Sequence, residues 1–288
     1  MIGIVLALLS AAASGISVVL VRKYSANSSV FNMSLIITFL GTLILWPIAF
    51  SVTNFGAVSL ISFLFFAASG VLSPGLVRLF YYKGLKNLGA SANSSIFAIY
   101  PLYSSLLAVI LLNEMPTVSN MLGIAAIIVG VVLVEFTVDR KNGQGTRSWK
   151  SLAPPIIGGL TLGASAVIRK FALDTSNVPV FGVASAYLFS LIPYVVILAF
   201  SRSTRSDLSL KRDLRWFWVA GVGQTISWLL AFYALSYETV AITTPLLSVE
   251  PLFVVAFAYF YLKKVEHISA VLLASVSITV LGIVLITI

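Results

Sequence analysis

Glu250 sits about halfway along an apolar run, residues 240–262, and is the only acidic residue so deep inside one. In a membrane, a charge at that depth costs about 3 kcal/mol on insertion scales, so the carboxyl must face protein or a watery cavity. There it can bind and release a proton or pair with a cationic substrate. A purely structural glutamate would instead hydrogen-bond two helices together. On a continuous helix, Thr243, Leu247, Glu250 and Val254 share a face, with steps of four, three and four. Corresponding positions earlier in the chain are Asn93, Phe97, Tyr100 and Ser104. Two polar and aromatic stripes are therefore expected to line one site, although buried Ser, Thr and Asn also serve as glue between membrane helices.

Further candidates join them. Gln224 and Trp228 lie one helical turn apart and offer an amide and an indole face, suited to an amino acid, an aromatic ring or a cation. Ser73-Pro74-Gly75 weakens the helical ladder, and the freed carbonyls need water or protein partners, so a kink beside a cavity is expected. Arg78 can snorkel to the near interface or meet an anionic group of a substrate. The expected substrate-binding set is Glu250, Tyr100, Asn93, Phe97, Thr243, Gln224, Trp228, Ser73 and Arg78, with Glu250 also the coupling residue. No metal or cofactor is expected: the chain has no cysteine, and its one histidine, His267, stands beside a loop without clustered carboxylates.

These residues need a membrane scaffold. The chain of 288 residues is 59% hydrophobic and only 9% charged, more apolar side chain than a soluble domain can hide. Windows of roughly 20 residues, one bilayer span, fall at 2–21, 31–51, 58–82, 90–112, 118–138, 152–171, 180–200, 214–235, 240–262 and 268–287. The start of the chain carries no basic segment before its first apolar window, so no cleaved signal is expected. Sixteen of eighteen basic residues fall on one face of this ten-helix scheme, the exceptions being Arg169 and Lys170. That bias predicts a cytoplasmic face for the sixteen and both termini outside. It also accounts for the net charge of +9 without a nucleic-acid partner, since no folded domain carries a basic surface.

The chain repeats itself at an offset near 150. Gly130-Val-Val-Leu-Val134 matches Gly282-Ile-Val-Leu-Ile286, Glu114 matches Glu266, Pro101-Leu-Tyr103 matches Pro251-Leu-Phe253, and Arg22-Lys-Tyr24 matches Arg169-Lys-Phe171. Five crossings per unit invert the second half, so the expected fold is an all-α polytopic membrane protein of ten transmembrane helices in a 5+5 inverted-topology repeat. The halves are 1–138 and 152–288, joined by a polar, Gly-containing cytoplasmic linker at 139–151. Arg169 and Lys170 sit near a helix end and break the charge bias, which suggests a gate. Pro154 and Pro155 are placed to open a helix. Gly159 and Gly163 have the spacing of a close helix contact, internal or dimeric. Glu114 and Glu266 look like repeated caps at helix ends.

Leu-Leu-Asn-Glu114 ahead of Gly123-Ile-Ala-Ala-Ile-Ile-Val-Gly130, and Tyr-Leu-Lys-Lys-Val-Glu266 ahead of a helix ending Gly282-Ile-Val-Leu, resemble the drug/metabolite transporter superfamily, EamA type. The resemblance spans essentially the whole chain. It implies a multi-pass permease of the plasma (cell inner) membrane that moves a small metabolite, with export, or efflux, favoured. Amino acids, aromatic compounds and organic cations fit an aromatic site with one acid. A coupling proton or sodium ion is open, as is a monomer or weak dimer in the lipid bilayer. A channel or facilitative pore shares the topology but lacks a recognisable filter segment. An intramembrane enzyme would need a second deep acid or a Ser/His pair, and no phosphate-binding loop is present.

Overall fold

A backbone in lipid must satisfy its own N–H and C=O groups, and a helix does this within one segment. The computed structural model describes residues 1–24, 28–88, 93, 97, 100–139, 149–262 and 270–287. Its long elements are α1 (Ile2–Tyr24), α2 (Val30–Val52), α3 (Leu60–Gly70), α4 (Val77–Leu88), α5 (Tyr100–Leu112), α6 (Val118–Asp139), α7 (Trp149–Thr175), α8 (Pro179–Phe189) and α9 (Ile192–Phe200). After a short helix at Arg202–Ser206 come α10 (Leu210–Tyr237), α11 (Val240–Leu247), α12 (Glu250–Leu262) and α13 (Ala270–Thr287).

Among the described residues, six stretches are long and apolar enough to cross a membrane: Ile2–Tyr24, Val30–Val52, Leu60–Gly84, Leu152–Thr175, Pro179–Phe200 and Asp213–Tyr237. Four shorter apolar helices accompany them, at Tyr100–Leu112, Val118–Leu133, Val240–Val254 and Ala274–Ile286. Burial is distributed as lipid demands. Leu60, Leu106, Ile110 and Phe200 are exposed, while Ser10, Ser17, Ser62, Ser165 and Thr243 are buried. In water such an apolar exterior would be an aggregation surface.

Polar contacts and small residues hold the helices together. Ser10 Oγ donates to the Ser227 carbonyl at 2.7 Å and Ser227 Oγ donates to the Ser10 carbonyl at 2.9 Å, clasping α1 to α10. In the α6–α13 pair, a Cβ on Gly123 would lie 2.8 Å from the Gly282 carbonyl oxygen, and one on Gly282 would lie 2.8 Å from that of Gly123. Gly130 meets Ser275 and Thr279 in the same way. Only glycine permits backbones this close. Because Gly123 faces Gly282 and Gly130 faces Ser275, the two helices run antiparallel. Gly163 of α7 approaches Tyr100 and Ser104 of α5, so the Gly159/Gly163 spacing serves packing within the chain.

Among the described residues, three interruptions shape the interior. Ser73, with φ −147° and ψ 121°, leaves the helix between α3 and α4, and Pro74 follows it. Ser190 and Leu191 separate α8 from α9, where Pro193 cannot donate to Phe189. The third corrects the continuous helix expected over 240–262. Pro251 lacks an N–H for the Leu247 carbonyl, and the chain turns at Ser248 and Val249, with Ser248 N bonded to Thr244 O at 3.0 Å. Glu250 is consequently the first residue of α12, at a helix N-terminus. Pro154 and Pro155 do not open their helix, because α7 already starts at Trp149. Their missing donors affect only carbonyls 150 and 151, in the first turn.

Candidate functional site

The α3–α4 and α11–α12 breaks meet at a central cavity of about 180 Å³. One water needs roughly 10–15 Å³ on this measure, so the space suits a small organic molecule. Its walls come from α1, α4, α5, α7, α10, α11 and α12, together with Ser73 and Pro74 of the first break and Phe97 ahead of α5. Glu250, Tyr100, Phe97, Thr243, Gln224, Trp228, Ser73 and Arg78 all line it.

Asn93 does not. Its side chain is buried against α4, where Nδ2 donates to the Tyr81 carbonyl at 3.1 Å and Oδ1 fills the space beside Gly84. The stripes are also less regular than helical spacing implies. Thr243, Leu247 and Glu250 face the cavity, but the turn at Ser248 shifts the phase, and Val254 packs with Val18, Val19 and Phe257 instead. Ser104 is used structurally, sharing a 2.8 Å hydrogen bond with Thr244 Oγ1.

Each polar wall residue is placed by a contact between distant segments. The Tyr100 hydroxyl donates to the Thr244 carbonyl at 2.9 Å, tying α5 to α11. Ser14 of α1 donates to the Glu250 carboxylate, and Gln224 Nε2 approaches Ser14 Oγ at 3.5 Å. The carboxyl also belongs to the first turn of α12, at the positive end of its backbone. Glu114 acts at the surface as a cap: its carboxylate accepts from Val240 N at 3.0 Å and Ala241 N at 3.3 Å, at the start of α11. Glu266 and His267 lie outside the described residues, as do 140–148 of the linker.

Two arginines are placed differently from the sequence-based expectation. Arg78 does not snorkel outward. It is 6% exposed, donates to Thr38 Oγ1 and, at 3.4 Å, to the Tyr187 hydroxyl, and lies 5.6 Å from the Tyr187 ring centre. Tyr187 occupies space left by Gly41, where a Cβ would fall 2.0 Å from the ring. Arg169 is not at a helix end, because α7 continues to Thr175. It is 3% exposed, lines the cavity, and sits 4.5 Å from the Trp228 ring centre and 4.7 Å from that of Phe232. Its neighbour Lys170 lies outside the cavity wall, where Nζ donates to the Leu235 carbonyl of α10 at 3.2 Å and pairs with Asp174 at 3.0 Å. That i,i+4 pair was the overlooked signal: it carries the helix past 171 and puts Arg169 on the adjacent, inward face. Ser14 and Thr244 gave no such signal, since nothing local marks them.

The described residues thus combine apolar spans with an interior cavity framed by broken helices and lined by polar and aromatic side chains. The EamA-like transporter family matches residues 1–136 and again residues 150–288, and the chain belongs to that family. No curated protein matches it. A solved structure described as "Crystal structure of protein" is similar, with a TM-score of 0.75 over 99% of this chain and 96% of its own, at 12% identity. At that identity the likeness speaks for the fold alone.

Proposed function

We propose that the protein is a secondary active transporter that moves a small metabolite, in the export direction, across the plasma membrane by alternating access. One observation carries this reading: the cavity wall takes residues from both family repeats, Ser73, Arg78 and Tyr100 from the first and Arg169, Trp228 and Glu250 from the second. A site shared by two halves opens to either side when one half rocks against the other. The six long spans and four shorter apolar helices support a ten-helix, 5+5 arrangement. The antiparallel α6–α13 pair, with Gly130 and Gly282 at matching repeat positions, supports inversion of the second half.

Glu250 is the coupling group in this reading, taking a proton or holding a sodium ion at the junction of α1, α10 and α12. The substrate meets the aromatic wall beside it. The transporter works as a monomer or weak dimer in the bilayer, with its basic loops in the cytoplasm and both termini outside. Neither a cofactor nor nucleic acid takes part. Saturable exchange of a loaded metabolite panel in proteoliposomes, with and without an imposed proton or sodium gradient, tests the reading. Ohmic single-channel currents would favour a channel instead.

A further inference from the structure

We infer that the substrate of this cavity carries an oxyanion, a carboxylate or a phosphate monoester, bound at Arg169 and Arg78. The inference rests on the transporter reading above and deepens it by naming the charge of what is carried. Both guanidiniums line the cavity, and both are more than nine-tenths buried. Among the described residues no carboxylate pairs with either of them. Arg169 donates from one terminal nitrogen to Ser165 Oγ at 3.2 Å, while its Nε has no hydrogen-bond partner among the described residues. Arg78 rests on neutral hydroxyls.

The two arginines flank one aromatic ladder. The Tyr187 and Trp228 rings stand 6.5 Å apart, edge to face, and Trp228 and Phe232 are also 6.5 Å apart. Arg78 lies against the Tyr187 end and Arg169 against Trp228 and Phe232. Ring faces stabilise a buried cation and hold its plane, but they do not neutralise it. A ring face takes no strong N–H bond, so the unpartnered Nε of Arg169 is left for an oxyanion oxygen, and charge-assisted arginine–carboxylate and arginine–phosphate contacts are short and strong. Glu250 does not reverse this balance. Among the described residues it is the one acidic residue in the wall, against two guanidiniums, and Ser14 already donates to its carboxylate. The remaining wall, with Tyr81, Phe97 and Tyr100, suits an apolar or aromatic body behind the anionic group.

Benzoate, phenyl phosphate and benzylamine share a ring and differ in charge, so they serve as probes. Calorimetric binding to the detergent-solubilised full chain reads the inference, and counterflow in proteoliposomes reads transport separately. Binding of benzoate or phenyl phosphate in preference to benzylamine is expected, and whichever anion binds tells carboxylate from phosphate. Arg169→Lys keeps the charge but loses the flat fork, so it should weaken the bound anion roughly tenfold or more, as loss of a charged hydrogen bond does. Size-exclusion profile and melting temperature check that the variant is folded, and Arg78→Lys gives a second, independent measurement. Tighter binding of benzylamine than of both anions, binding of neither anion, or unchanged anion affinity in both folded variants overturns the inference. Anion binding without counterflow of any probe would leave this inference standing and count against the transporter reading.

Discussion

Ser14 donates its hydroxyl to the carboxylate of Glu250, joining α1 to the start of α12 across 236 residues of sequence. The contact places the coupling candidate at the junction of the two halves, where a change in its protonation or ion occupancy alters a bond between them.

Glu250→Gln should keep the fold, because the amide is nearly isosteric and avoids burying a charge. It should impair transport or abolish its pH dependence. Glu250→Asp should retain partial activity, its carboxyl withdrawn by one methylene from Ser14. Transport rate against pH in proteoliposomes, alongside a melting curve, checks both variants. A wild-type rate and profile in folded Glu250→Gln protein would make this glutamate structural.

Tyr100→Phe removes one buried hydrogen bond to Thr244 and should cost about 1 kcal/mol of stability. Tyr100→Ala and Trp228→Ala should mainly raise the apparent KM, since they remove contact area and no coupling group. Separate measurement of KM and maximal rate distinguishes this from a coupling defect.

Glu114→Ala leaves two backbone donors at the start of α11 without their carboxylate and should destabilise the protein by about 1 kcal/mol. Glu114→Gln keeps an acceptor oxygen and should cost less. Chemical denaturation of the two variants in the same detergent gives the comparison, and substrate affinity should be unchanged in both.

Orientation is open to direct labelling, because the chain has no native cysteine. Phe55 and Ser203 lie in exposed connections at opposite ends of the helices, Phe55 between α2 and α3 and Ser203 between α9 and α10. An impermeant thiol reagent on intact cells should label Phe55→Cys and spare Ser203→Cys until lysis. The opposite pattern would place the basic loops outside.

Hydropathy and internal repetition are linear properties, and the sequence alone was enough to establish a multi-pass membrane protein with two related halves. Spacing also pointed to Tyr100, Phe97, Thr243 and Glu250, and the fold brings these four to one cavity although the chain turns between Thr243 and Glu250. Tertiary structure decided what depends on which helix meets which. Asn93 turns to Tyr81 because α4 is its neighbour, and Val254 leaves the stripe because Pro251 breaks the helix. Arg169 and Lys170 are adjacent in the chain but about 100° apart around α7. One therefore reaches the aromatic ladder while the other pairs with Asp174 and the Leu235 carbonyl. Ser14 acquires its role only through a partner 236 residues away, a juxtaposition that no local pattern encodes.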